Sequence, residues 1–153
     1  MAVDAKTGQP IFGRYSTGLH NVGSYQVSGW PWVTGSAIGA GKEIKFEFPM
    51  VTKSITIIAS GSFTATDTAV LRAHFVSTSS TEATDYSTDV ITGHHYITFE
   101  ADDDSITLNV KCKEIYLSAQ GAGVGAEIVA ELTNVPTDRM FTLTGSGHTE
   151  VVA

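Results

Sequence analysis

The chain has 153 residues, 16 of them acidic and 9 basic, for a formal net charge of −7. Seven of the acids (Glu82, Asp85, Asp89, Glu100, Asp102, Asp103, Asp104) fall within residues 73–110, which contain no Lys or Arg, so the remaining nine acids and nine bases balance. Such a field repels phosphate backbones and anionic headgroups, which argues against a nucleic-acid or membrane-surface partner.

The length suits one domain, with a polar arm at residues 1–10, a folded body at 11–144 and a tail at 145–153. The body opens on a Gly- and aromatic-rich stretch centred on Tyr25-Gln26-Val27-Ser28-Gly29-Trp30-Pro31-Trp32-Val33, which predicts short strands broken by Gly. After Gly39-Ala40-Gly41, the run Glu43-Ile44-Lys45-Phe46-Glu47-Phe48 alternates strictly. Period two over this length marks a half-buried strand, and Pro49 ends its pairing. Lys53-Ser54-Ile55-Thr56-Ile57-Ile58 is a second such strand. Ala69-Val70-Leu71-Arg72-Ala73-His74-Phe75-Val76 is a third, with Leu71, Ala73 and Phe75 inward and Arg72 and His74 outward.

A polar loop follows at residues 77–89, long enough to be functional rather than a tight turn. His95-Tyr96-Ile97-Thr98-Phe99-Glu100 resumes the alternation, and Ala101-Asp102-Asp103-Asp104-Ser105 turns it. Ile106, Leu108, Val110 and Cys112 share one face, but Ile115 and Leu117 continue on the other parity. A phase change of this kind predicts a bulge or a bend between two strands. Ala126-Glu127-Ile128-Val129-Ala130-Glu131-Leu132 admits a helix. The approach through Gly121, Gly123 and Gly125, the Glu/apolar alternation and the nearby Pro136 favour a strand. Met140-Phe141-Thr142-Leu143 is the last short strand. Many short strands and no long helix predict an all-β fold: a single antiparallel β-sandwich, jelly-roll-like, with extended termini.

Composition agrees. Thr and Ser number 20 and 14, which suits a pleated, half-buried surface, while charged residues make up only 16% of the chain. The single Cys112 rules out an internal disulfide framework. Met1-Ala2-Val3-Asp4 reads as an intracellular start with no secretion signal, and no apolar run is long enough for a spanning helix.

No motif carries catalysis. His94 and His95 are adjacent, so on a strand they point to opposite faces, and no HxH or HExxH spacing accompanies the five His. Asp102-Asp103-Asp104 offers carboxylates to calcium but lacks the DxDxDG spacing of a dedicated loop; a solvated turn is the alternative. Gly39-Ala40-Gly41-Lys42 fails as a P-loop, because Ser36 and Glu43 stand where Gly and a hydroxyl are required. No cofactor and no resident metal are expected. The candidate interface residues are Tyr25, Trp30, Trp32, Asp102, Asp103 and Asp104. Exposed, the two indoles around Pro31 make a sugar-stacking platform or an interface anchor; buried, they fill the end of the sandwich.

Three stretches add a resemblance: Gly23-Ser24-Tyr25-Gln26-Val27-Ser28-Gly29, the run from Asp104-Ser105-Ile106-Thr107-Leu108-Asn109-Val110 through Lys111-Cys112-Lys113-Glu114-Ile115-Tyr116-Leu117-Ser118, and Ala130-Glu131-Leu132-Thr133-Asn134-Val135-Pro136. They resemble small structural proteins of tailed phages from marine and cyanobacterial hosts, of the capsid cement or decoration kind. The resemblance implies a non-enzymatic virion protein on the capsid surface, bound to the major capsid protein and to itself as a homo-oligomer, such as a trimer, with its termini as docking arms. The competing expectation is a carbohydrate-binding sandwich, a receptor-binding or fibre head, that uses Trp30, Trp32 and Tyr96. In either case the loop acids and the acidic turn predict one negative edge, facing solvent or a basic patch.

Overall fold

The computed structural model describes residues 18–26, 28–61, 63, 69–76, 96–141, 143–144 and 149–150. The arm at 1–10, the loop at 77–89 with Glu82, Asp85 and Asp89, and His94, His95 and His148 lie outside them.

Among the described residues the chain forms two four-stranded antiparallel sheets. The strands are β1 (Trp30–Ile38), β2 (Glu43–Glu47), β3 (Met50–Ser60), β4 (Val70–His74), β5 (Ile97–Phe99), β6 (Ser105–Leu108), β7 (Glu114–Gln120) and β8 (Val124–Pro136). The first sheet has the order β1-β8-β3-β6 and the second β2-β7-β4-β5. The pairs β1·β8, β2·β7, β3·β6 and β4·β5 are those of one long hairpin folded back on itself. Rolling that hairpin adds β3·β8 and β4·β7. The result is a jelly-roll sandwich.

Alternation explains why these strands stack. Ile55 and Ile57 of β3 and Ile128 of β8 face Leu71 of β4 and Ile115 and Leu117 of β7 in the core, all with no exposed surface. Phe46, Phe48 and Phe99 complete it. Glu127 and Glu131 are exposed between buried Ala126, Ile128, Ala130 and Leu132, so the strand reading of this segment holds. The phase change near Lys113 is a bend rather than a bulge: β6 ends in the first sheet at Leu108 and β7 begins in the second at Glu114.

The bend is anchored by Thr52, which is fully buried. Its hydroxyl donates to the Val110 carbonyl at 2.7 Å and accepts the Cys112 N–H at 3.0 Å. The β3–β8 register shifts on either side of Thr52, which turns both Val51 and Thr52 inward. A second small cluster, Val51, Val135 and Met140, closes this end.

Several local expectations are revised. Residues 23–26 form a helical turn, α1 (Gly23–Gln26), and β1 is a single nine-residue strand that runs through Gly35 rather than a series of broken ones. Among the described residues β1 is an edge strand with one partner, the position at which a sheet tolerates a proline such as Pro31. Met140 follows a 3-10 turn (Thr137–Arg139) instead of starting a strand. Two-residue strands β9 (Leu143–Thr144) and β10 (Thr149–Glu150) pair with each other, so the segment read as a tail contributes to a small hairpin.

The main correction concerns the outer face of the second sheet. Arg72 and His74 do point away from the core, as the alternation requires, yet they are buried, at 8% and 2% exposure.

Candidate functional site

The residues proposed from sequence do not converge. Trp30 pairs with Leu132 at one end of β8, whereas the acidic turn is bonded to Ala59, which pairs with Ala126. Six residues of strand separate these positions, roughly 20 Å at about 3.4 Å per residue. The expected set therefore splits into an aromatic end and an acidic end.

At the aromatic end the two indoles have different roles. Trp30 is 65% exposed. Trp32 is half-buried against the core and meets Phe48 edge-on, with centroids 5.0 Å apart and planes at 75°. Strand alternation sends both side chains to the same face, but only Trp32 lies far enough along β1 to be covered. Tyr25 lies at this end as well. Lys111 Nζ sits 4.4 Å from its ring centroid and donates to the Leu19 carbonyl at 2.7 Å. The Tyr25 hydroxyl donates to the same carbonyl at 3.1 Å, and desolvation raises its pKa. Tyr25 is thus a strut that fastens α1 to the segment leading into β7. Tyr96 lies on the second sheet, with its ring over Arg72, and does not join the two indoles.

On the outer face of the first sheet, Val33 (69% exposed) lies opposite Val129 (39% exposed), which is opposite Thr56 on β3. Thr56 and Thr107 share a hydrogen bond at 2.8 Å across to β6. Glu127 and Glu131 flank Val129 on this outer face, whereas Trp30, at the start of the same edge strand, has the parity of Trp32 and stands at the core-side margin of the sheet.

At the acidic end, two of the three carboxylates hold the backbone. Asp104 Oδ2 accepts the N–H groups of Glu100 and Ala101 at 3.0 and 2.9 Å, and Asp102 Oδ1 accepts the Gly61 N–H at 2.9 Å. Asp103 adopts a left-handed φ of 65°, which Asp and Asn tolerate better than other side chains. The run of acids is therefore turn chemistry first. Among the described residues no group of three His, Cys, Asp or Glu is placed to hold a metal ion.

Sequence reasoning missed a polar cluster on the outer face of the second sheet. Glu43 on β2, Ser118 on β7 and Arg72 on β4 stand in one cross-strand row, with Lys45, Tyr116 and His74 in the next. His74 Nδ1 contacts the Val76 carbonyl at 2.7 Å, so it carries the proton, and Nε2 accepts the Ser118 hydroxyl at 3.0 Å. Burial pushes the His74 pKa below its ordinary value, against smaller raising contributions from the Val76 carbonyl and Glu43. A serine hydroxyl donating to a neutral imidazole is the geometry of an activated nucleophile, but both residues are only 2% exposed, so the pair is sealed and acts as a strand tie. Tyr116 stacks on His74 at 6.0 Å and its hydroxyl donates to Glu114 at 3.2 Å. Lys45 bridges Glu47 and Glu114 at 2.6 and 2.9 Å, which raises its own pKa and lowers that of Glu47.

Cys112 is buried in the core, and desolvation pushes its thiol up to about 11, which makes it unreactive at neutral pH. Comparison of the chain with protein-family models and with curated proteins finds no match.

Proposed function

We propose that this protein is a non-enzymatic structural subunit of a tailed-phage virion, a cement or decoration protein that binds the shell of the major capsid protein and stabilises it. The observation that carries this reading is the apolar margin of the first sheet. Trp30 and Val33, 65% and 69% exposed, project from opposite faces of β1, which has one strand partner among the described residues. A rigid sandwich with an aromatic anchor at its margin and a strand edge unpaired among the described residues suits docking by shape and strand addition. The resemblance of its sequence to phage structural proteins supplies the shell as partner and homo-oligomerisation as the mode of assembly.

The deciding experiment is quantitative mass spectrometry of purified virions. A copy number comparable to that of the major capsid protein supports a cement role, a few copies per particle points to a tail or fibre part, and absence from the particle overturns the proposal. Binding to empty capsids refines it. Trp30→Ala should weaken association by tenfold or more if the indole is an anchor, since removal of such a residue typically costs about 2 kcal/mol. The acidic turn is tested with Asp102→Asn combined with Asp103→Asn, which keeps an acceptor for the Gly61 N–H and a side chain that tolerates the left-handed φ. Loss of a salt-dependent part of the affinity means that the turn meets a basic patch; unchanged affinity means that it faces solvent.

The alternative is a carbohydrate-binding sandwich, which exposed Trp30 favours. With Trp32 committed to Phe48, a sugar would stack on Trp30 alone. Saturable binding on a glycan array, lost in Trp30→Ala, would select this reading over cement.

A further inference from the structure

Arg72 occupies an outward position of β4, where alternation ordinarily places a solvated side chain. It is instead 8% exposed, and two of its guanidinium nitrogens, Nε and Nη1, are buried without a hydrogen-bond partner. The Tyr96 ring covers it, 4.2 Å from Cζ to the ring centroid. Its cross-strand neighbours, Ser118 on β7 and Thr98 on β5, bring no charge, and the Ser118 hydroxyl is donated to His74. Glu43 stands one strand further along the row, on the far side of Ser118, with its carboxylate 3.9 Å from His74 Nε2. Among the described residues no carboxylate forms an ion pair with Arg72. Diagonally across on β7, Gln120 has its Oε1 buried without a donor.

A buried guanidinium with unused N–H groups is among the least favourable arrangements a fold can hold, and a cation–π contact offsets only part of the desolvation. Buried polar groups in native proteins are almost always satisfied, and such an exception implies a bound water or ion. Water accepts from Arg72 but brings no counter-charge to a cation that no described carboxylate pairs, whereas an oxyanion answers both the donors and the charge. We infer that Arg72 is the cationic centre of a binding site for a small oxyanion, of the carboxylate or phosphate class, on the outer face of the second sheet beneath Tyr96. The net charge of −7 disfavours large polyanions, but a desolvated cation acts on a small ion at contact, where the local charge outweighs the distant field. The Gln120 amide, turned end for end, adds an N–H donor at the margin of this site.

The test is thermal unfolding of the full chain and of Arg72→Gln in sodium chloride, sodium phosphate and sodium acetate at matched ionic strength. The wild-type Tm should rise progressively with phosphate or with acetate, and the responding salt identifies the anion class. Arg72→Gln should show no rise, and in chloride it should be at least as stable as the wild type, because a buried cation with unused donors is gone. A wild-type Tm indifferent to both oxyanions, the result expected of a bridging water, overturns the inference, as does an equal rise in both proteins. Should Arg72→Gln fail to fold, the arginine Nε–H resonance of the wild type decides. A saturable shift with phosphate or acetate supports the site, and an unmoved resonance counts against it.

Discussion

Trp30 and Trp32 are two residues apart on one strand face, and the structure assigns them opposite energetic roles. Trp32→Ala removes an indole that is half-buried against the core and edge-on to Phe48 at 5.0 Å. Full burial would put the loss at about 3–5 kcal/mol. Partial exposure at a sheet edge lowers this to about 2–3 kcal/mol, of which about 0.5–1.5 belongs to the aromatic pair. For a chain of this length that is a fall in Tm of roughly 5–10 °C. Trp30→Ala, at 65% exposure, should change stability by less than about 0.5 kcal/mol. Urea denaturation followed by circular dichroism separates the two, since both variants keep the secondary structure that provides the signal. A Trp30 variant as destabilised as the Trp32 variant, or a Trp32 variant with the wild-type midpoint, would refute the assignment of one indole to the surface and the other to the core.

Three other outcomes follow from the interior. Thr52→Val leaves the Val110 carbonyl and the Cys112 N–H without their buried partner and should cost about 2–4 kcal/mol, while Thr52→Ser keeps the hydroxyl and most of the stability. Equal urea midpoints for the two variants would contradict this. Burial holds the His74 pKa below its ordinary value, so the unfolded chain binds a proton that the folded chain refuses. Stability should therefore fall as pH drops below about 6.5, by at most about 1.4 kcal/mol per unit from this group, until the folded pKa is reached. Comparison of wild type with His74→Gln at pH values on both sides of that window isolates the contribution; identical pH dependence would remove it. Cys112, with its thiol pushed up to about 11, should resist a thiol reagent at pH 8 in the native protein and react fully in denaturant, as read by mass shift. Native-state modification at the unfolded rate would show that the bend at this residue opens.

The sandwich was legible in the sequence because strand burial is a local property. Ile44, Phe46 and Phe48, or Ile128, Ala130 and Leu132, declare an inner face by period two whatever they pack against. The change of parity before Ile115 marked the chain's passage from one sheet to the other for the same reason. Gly29 carried no such mark: a Cβ there would meet Glu131 Cβ at 2.7 Å, a close approach that exists only once β8 lies alongside. Helix and strand also compete on equal terms in a segment as short as α1, where the Asn21 carboxamide accepts the Gly23 N–H and tips the balance.

Alternation says which side of a sheet a residue is on, but not whether that side is covered. Alternation puts Arg72 and His74 on the correct face, and only the assembled second sheet, with Tyr96 against Arg72 and Tyr116 against His74, shows that these two side chains are buried there. The same limit separates Trp30 from Trp32, and it recasts Asp102 and Asp104 from an acidic cluster into two backbone acceptors bound to Gly61 and to Glu100 and Ala101. The sequence by itself determined the strands, their inner faces and the absence of a disulfide framework, because each follows from neighbours along the chain. Tertiary structure alone decided which outward polar groups lose their water, because desolvation depends on what arrives from elsewhere in the fold.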